Sequence, residues 1–187
     1  AQYGGSIPAG LASSLSSGVV SLYSTAGAFA ALKSDGSIVV WGDSLYGGDA
    51  SRVSASLSEG VVGVYSNSDS FVAVKSDGSI VTWGAYDQWI DFADLANGGA
   101  FASDEARDNY IETNYDFAAP PTDLSDVSAV YTTSTAFAAL KSDGTIVVWG
   151  DVNNGGDQTV VDAFNSDAGL SSVTAVYGNG GAFVALA

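Results

Sequence analysis

Apolar residues in this chain gather into short runs rather than alternating with polar ones. AFAAL (28–32) and IVVW (38–41) flank the segment Lys33-Ser34-Asp35-Gly36-Ser37. FVAV (71–74) and IVTW (80–83) flank Lys75–Ser79, and AFAAL (136–140) and IVVW (146–149) flank Lys141–Thr145. Two apolar runs joined by an Asp-Gly turn predict a β-hairpin, with Gly36, Gly78 and Gly144 at the position that needs positive φ. A half-exposed strand would alternate polar and apolar residues. Here Phe29 and Ala31 would line one face while Ala30 and Leu32 line the other, so both faces are expected to be buried between neighbouring sheets. A further apolar segment precedes each hairpin: VVSLYST (19–25), VVGVYSN (61–67) and VSAVYTT (127–133). The segment VTAVYGN (173–179) precedes the shorter run GAFVALA (181–187).

The pattern is therefore an internal repeat. Its aligned phenylalanines are Phe29, Phe71, Phe137 and Phe183, spaced by 42, 66 and 46 residues. Periods in this range mark propeller blades or solenoid coils, units that bury their apolar faces only by stacking on one another. Between units lies a Tyr-Gly-Gly-Asp linker. Val53 and Leu57 then sit four apart, as for one helical turn ending at Gly60. The expected organisation is a single repeat domain over 1–187. Its units are 1–18 (partial), 19–60, 61–126 with an insertion at 86–121, 127–172, and 173–187 (partial).

The pattern V-x-x-[VL]-Y-x-x-x-x-[AS]-F-[AV]-A-[LV]-K-S-D-G-[ST]-I-V-x-W-G resembles the repeat of the regulator of chromosome condensation 1 family. This chain has YGGD or NGGD where that family has a Gly-Gln-Leu-Gly turn, and Tyr where a Gly-His pair often sits. It resembles a short acidic variant of that repeat. The resemblance implies an all-β, propeller-like array, partial or open, of about four repeats with a short, partly helical insertion. Family propellers have seven blades, so the expectation is a piece of a longer polypeptide, a ring completed by partners, or an open arc.

Composition narrows the function. Twenty-one acids against five Lys and Arg give a formal net charge of −16, which disfavours nucleic acid and anionic membranes as partners. The chain has no Cys and no His, which removes thiol chemistry, the commonest general base and the usual zinc ligand. No apolar run approaches the ~20 residues that span a membrane. No cofactor is implied. An extracellular or organelle-lumenal location is favoured over a nuclear one.

The insertion is the part that departs from the repeat. Ten of the 21 acids fall in residues 85–126, opposed only by Arg107. Helices are expected at 87–96 and at 103–112, the latter with Ser103 as N-cap. Insertions into repeat arrays emerge as loops on one face, and such loops often bind. Trp89, Phe92, Phe101, Arg107 and Tyr110 are the candidate partner-binding residues. The acids Asp104, Glu105, Asp108 and Glu112 are read as a solvated face rather than a calcium cluster or an acid–base pair. Asp151-x-Asn153-x-Gly155-Gly156-Asp157 imitates a calcium loop, but Asp162 stands where that loop needs Glu, so the segment is read as repeat linker. Trp41, Trp83 and Trp149 are read as inter-sheet packing rather than a sugar platform. The repeat phenylalanines and hairpin glycines are likewise structural.

The resulting expectation is a non-enzymatic interaction or scaffold module, an accessory subunit or linker binding protein. The alternative is an extracellular carbohydrate-binding or adhesion module. The apolar strand at Gly181–Ala187 is expected to be covered, by the chain's own N-terminal region or by another subunit.

Overall fold

The computed structural model describes residues 6–86, 90, 101, 103, 106, 110–111, 117–166 and 173–187. The chain divides into two compact units, Ala1–Ala85 and Tyr86–Ala187. The class is all-β and propeller-like, with small antiparallel sheets following one another along the chain.

The first unit holds two three-stranded sheets. One is β1 (Val19–Ser24), β2 (Ala28–Lys33) and β3 (Ile38–Gly42); the other is β4 (Val61–Ser66), β5 (Ser70–Lys75) and β6 (Ile80–Gly84). Each hairpin turns on its glycine, with φ of +79° at Gly36 and +81° at Gly78, a region that costs any L side chain energy. Asp35 Oδ1 accepts from the Ser37 amide (3.0 Å) and hydroxyl (2.7 Å), and Asp77 does the same with Ser79. The Ser and Asp of the motif are thus turn chemistry.

The two sheets stack face to face. Ala28, Ala30 and Leu32 meet Val64, Phe71, Ala73 and Trp83, with Leu57 of the linker between them. Both faces of β5 are buried, as the unbroken apolar run predicts. Backbone bonds tie linker to sheet: the Ile38 amide donates to Leu57 O (2.9 Å) and the Val61 amide to Gly36 O (3.0 Å). The Lys75 ammonium donates to Ser56 O (2.8 Å), and Lys33 repeats this by donating to Ser14 O and Ser17 O. The recurrent lysine holds the preceding linker turn. Residues 6–18 stand at the linker's place in the repeat and include a short helix α1 (Ala12–Leu15), but bury no side chain as Leu57 is buried.

The second unit contains a four-stranded sheet of β7 (Phe117–Ala118), β8 (Val127–Thr132), β9 (Ala136–Lys141) and β10 (Ile146–Asp151), in the order β7-β10-β9-β8. A two-stranded sheet, β11 (Ala175–Gly178) and β12 (Phe183–Leu186), packs on it. Two features depart from the repeat pattern. Phe117 and Ala118 add a fourth strand, pairing with Asp151 and Gly150. The linker after β10 is a nine-residue helix, α2 (Gln158–Ser166), rather than a single turn. Its Gln158 Oε1 accepts from the Val148 amide (2.7 Å), and Asn165 bonds both the amide (3.1 Å) and the carbonyl (2.7 Å) of Ile146. Side-chain amides thereby satisfy the edge of β10, as the Leu57 carbonyl does for β3.

Candidate interaction surfaces

The repeat fixes an aromatic pair in each complete hairpin. Phe29 and Trp41 lie opposite each other across β2 and β3, as do Phe71 and Trp83, and Phe137 and Trp149. Their ring centroids are 5.4, 5.1 and 5.5 Å apart, nearly parallel. Trp41, Trp83 and Trp149 are 7%, 2% and 2% exposed, as inter-sheet packing requires, and none is presented as a sugar platform. Trp83 Nε1 donates to Gly47 O at 3.1 Å. Gly47 lies directly under the Phe71 ring, and any Cβ there would come 2.9 Å from Phe71 Cδ2. Linker, phenylalanine and tryptophan thus form a closed socket.

Among the described residues, two places leave open an apolar position that is covered in other units. Leu22 is 62% exposed, while its repeat counterparts Val64, Val130 and Val176 are 5%, 6% and 2% exposed. On the same strand Val20 is also exposed. Leu22 occupies the face which, in the second sheet, is buried against the sheet before it. The other place is at β12. Phe183 has no tryptophan opposite it among the described residues, and β12 pairs only with β11. Beside it lies a groove of 510 Å³ lined by Ile146, Val148, Gly155, Val161, Phe183 and Ala185, among others. The Gly181–Ala187 strand is therefore paired on one edge by β11, a partner the repeat itself supplies.

Of the insertion residues singled out by sequence, Phe101 and Tyr110 are brought together, with ring centroids 5.3 Å apart and a 48° tilt. Trp89, Phe92 and Arg107 lie outside the described residues, as do Asp104, Glu105, Asp108 and Glu112. Within the two expected helices, Ile90, Ala106, Tyr110 and Ile111 are helical, and Ser103 Oγ accepts from the Ala106 amide (3.2 Å), as an N-cap does. Ile90 and Ile111 are buried, and Tyr86 stacks on the buried Phe117 (6.1 Å). Apolar side chains at these described positions are thus buried, which the acidic composition conceals.

The calcium-like segment is used for capping. Asp151 accepts from the Asn153 amide (2.9 Å) and the Asn154 side chain (2.6 Å), and Asp157 accepts from the amide (2.9 Å) and hydroxyl (2.6 Å) of Thr159. Among the described residues no three carboxylates are grouped to hold a metal, and no helix is long and apolar enough to cross a membrane. The hairpin carboxylates of Asp35, Asp77 and Asp143 sit below the usual aspartate range. The main cause is the hydroxyl hydrogen bond from Ser37, Ser79 or Thr145, followed by that residue's backbone amide.

No protein-family model matches the chain, and no curated protein does. Solved structures do. Human WBSCR16 is 18% identical with a TM-score of 0.50, over 90% of this chain and 45% of that one. The CRINKLY WD40 ectodomain of the Arabidopsis thaliana receptor kinase ACR4 is 13% identical with a TM-score of 0.44, over 86% of this chain and 43% of that one. Prp20p from Saccharomyces cerevisiae, also described as yeast RCC1, is 18% identical with a TM-score of 0.44, over 73% and 31%. The chain spans less than half the length of each. At such identities the likeness is one of fold alone.

Proposed function

We propose that this chain is a non-enzymatic protein-interaction module, a scaffold or accessory subunit of a larger assembly. Its repeat is taken to be a divergent, acidic form of the regulator of chromosome condensation 1 repeat. The observation that carries the interaction reading is Leu22. It is open to solvent where every counterpart is buried. A large aliphatic side chain on a sheet face built for stacking is the chemistry of an interface. The Phe101–Tyr110 pair on the insertion offers an aromatic contact of the kind enriched at interfaces. One structural relative, Prp20p or yeast RCC1, is named for protein binding, to Gsp1p and histones and in a complex with Kap60. A partner here is a protein rather than nucleic acid, because a net charge of −16 repels phosphate. The acidity suits an extracellular or lumenal setting better than chromatin.

A photo-crosslinking amino acid placed at Leu22 tests the reading in the native host. One discrete protein adduct at Leu22, and none from the same group at the exposed hairpin position Asp35, is the expected result. Equal labelling at both positions would refute it. Saturable binding on a glycan array would instead favour the carbohydrate-binding alternative.

A further inference from the structure

The linkers after β3 and β10 begin on one backbone pattern. Asp43 and Asp151 each cap a 3-10 turn, their Oδ1 accepting from the amides of Leu45 (3.0 Å) and Asn153 (2.9 Å). Their own amides donate to the carbonyls of Gly27 (2.9 Å) and Thr135 (3.1 Å). Both turns end on a left-handed glycine, Gly47 or Gly155. The hydroxyls of Thr25 and Thr133 donate to the carbonyls of Tyr46 (2.7 Å) and Asn154 (2.8 Å). What differs is the surroundings of the second carboxylate oxygen. Asp151 Oδ2 accepts from the Asn154 side-chain amide (2.6 Å) and the Thr135 hydroxyl (3.3 Å). In the first linker Tyr46 stands in place of Asn154 and Gly27 in place of Thr135. Both donors are gone, and among the described residues no group donates to Asp43 Oδ2.

The Tyr46 ring takes the space that they leave. The three atoms nearest a Cβ built on Gly27 all belong to Tyr46, the closest at 2.6 Å. Gly27 has no positive φ to require a glycine, so its bare backbone serves the ring. Tyr46 is 37% exposed and Leu45 is 49% exposed. Asn153 and Asn154 hold the same turn without an apolar side chain, so the turn itself does not need Leu45 and Tyr46. An open aromatic ring at the position that reaches an undonated carboxylate oxygen is the chemistry that holds a guanidinium. Its plane stacks on the ring while its N–H groups donate to the carboxylate. The cation has to come from outside: Lys33 and Lys75 are bonded to linker carbonyls and Lys141 lies beside Asp143, in a chain of net charge −16.

From this we infer that the Asp43–Tyr46 turn docks an arginine side chain of a partner protein, with an apolar neighbour of that arginine resting on Leu45. The inference rests on the chain being an interaction module, but uses a surface separate from Leu22.

The test follows the amide NMR spectrum of the 187-residue protein during titration with an end-blocked Gly-Leu-Arg-Leu-Gly peptide. Saturable shifts centred on Gly27, Leu45 and Tyr46 are expected. The same peptide with neutral citrulline in place of arginine should bind about 10-fold or more weakly, as for loss of a charge-assisted bond. Asp43→Asn keeps an oxygen to cap Leu45 but removes the charge, and should bring the two peptides to equal affinity. Gly27→Thr combined with Tyr46→Asn rebuilds the closed arrangement that the second linker already folds into, and should abolish the shifts. Equal binding of the two peptides to the unaltered protein, or arginine binding that survives the double substitution, would overturn the inference. No saturation at millimolar peptide would overturn it too, as would self-association lost in the double variant, which would assign the turn to a second copy. The titration needs no native partner, so its failure is distinct from a failure of crosslinking at Leu22, which would remove the module reading instead.

Discussion

Trp83 is the place to test whether the sheets are stacked as described. It is 2% exposed, stacks on Phe71 and donates to the carbonyl of the buried Gly47. An aromatic of this size removes about 150–250 Å² from water. At about 25 cal/mol per Å² that gives a ceiling of about 4–6 kcal/mol, while truncations of this kind in cores cost about 3–5 kcal/mol. Trp83→Ala is therefore expected to lose about 3–5 kcal/mol, a large part of the ~5–15 kcal/mol that holds an ordinary domain. Trp83→Phe keeps a ring over Phe71 but removes the indole N–H. Gly47 O is then left buried without its donor, at a cost of about 1–3 kcal/mol. Urea unfolding followed by far-ultraviolet circular dichroism separates the terms, provided the slope stays at its wild-type value so that the midpoint reports stability alone. Were Trp83→Ala to lose less than about 1 kcal/mol, the residue would not be an inter-sheet anchor. If only Trp83→Phe proved neutral, the packing would stand and the hydrogen bond would be discarded.

Two further predictions follow from the turns. Asp126 has φ +60° at the repeat position held by Gly18 and Gly60, and its carbonyl accepts from the Ser142 amide just as theirs accept from Ser34 and Ser76. Relief of ~1–2 kcal/mol of left-handed strain outweighs the ~0.4–1 kcal/mol that glycine adds to unfolded-state freedom. Asp126→Gly should thus raise stability by about 0.5 kcal/mol, about 1–2 °C in Tm for a chain of this size; a lower Tm by calorimetry would refute this. The hairpin carboxylates titrate below their unfolded values because Ser37, Ser79 and Thr145 hydrogen-bond the charged form. Their stabilising effect is therefore complete above the unfolded aspartate pKa and is lost as pH falls through the lower folded values. A carboxyl-resolved NMR titration should show Asp77 moving toward the usual aspartate value in Ser79→Ala, and an unchanged midpoint would remove the hydroxyl as the cause.

The hairpins, the stacked sheets and the buried tryptophans were legible because each rests on a local signal repeated in register: Lys-Ser-Asp-Gly at the turn and apolar residues on both parities beside it. What escaped had a weaker signal or a misleading analogy. β7 is only Phe117–Ala118, too short for any periodicity, and it earns its place by pairing with Gly150 and Asp151, far away in sequence. The α2 segment carries Val160, Val161 and Phe164 at helical spacing, but alignment with the shorter linker at 49–60 makes it read as a single turn. The anchoring role of Lys33 and Lys75 was hidden as well, since their acceptors are backbone carbonyls 19 residues upstream that no side-chain pattern reveals.

Comparison among repeats also turns fold into function. A position recurring in every unit has the same job in each, so its exposure ought to be constant. Where exposure changes while the apolar character does not, the difference lies in the neighbour and not in the residue. Leu22 against Val64, and Phe183 against Phe71, are such pairs: the side chain and local backbone are those of a buried site, and the covering element is what differs. A mutation that had merely drifted onto the surface would be expected to become polar over the whole patch. Instead the lining around Phe183 keeps Ile146, Val148, Val161 and Ala185 together with the glycine floor. Solvent alone gives no reason to keep such a lining apolar. Packing against a neighbouring strand, of the kind Trp83 and Val81 provide in the first unit, does.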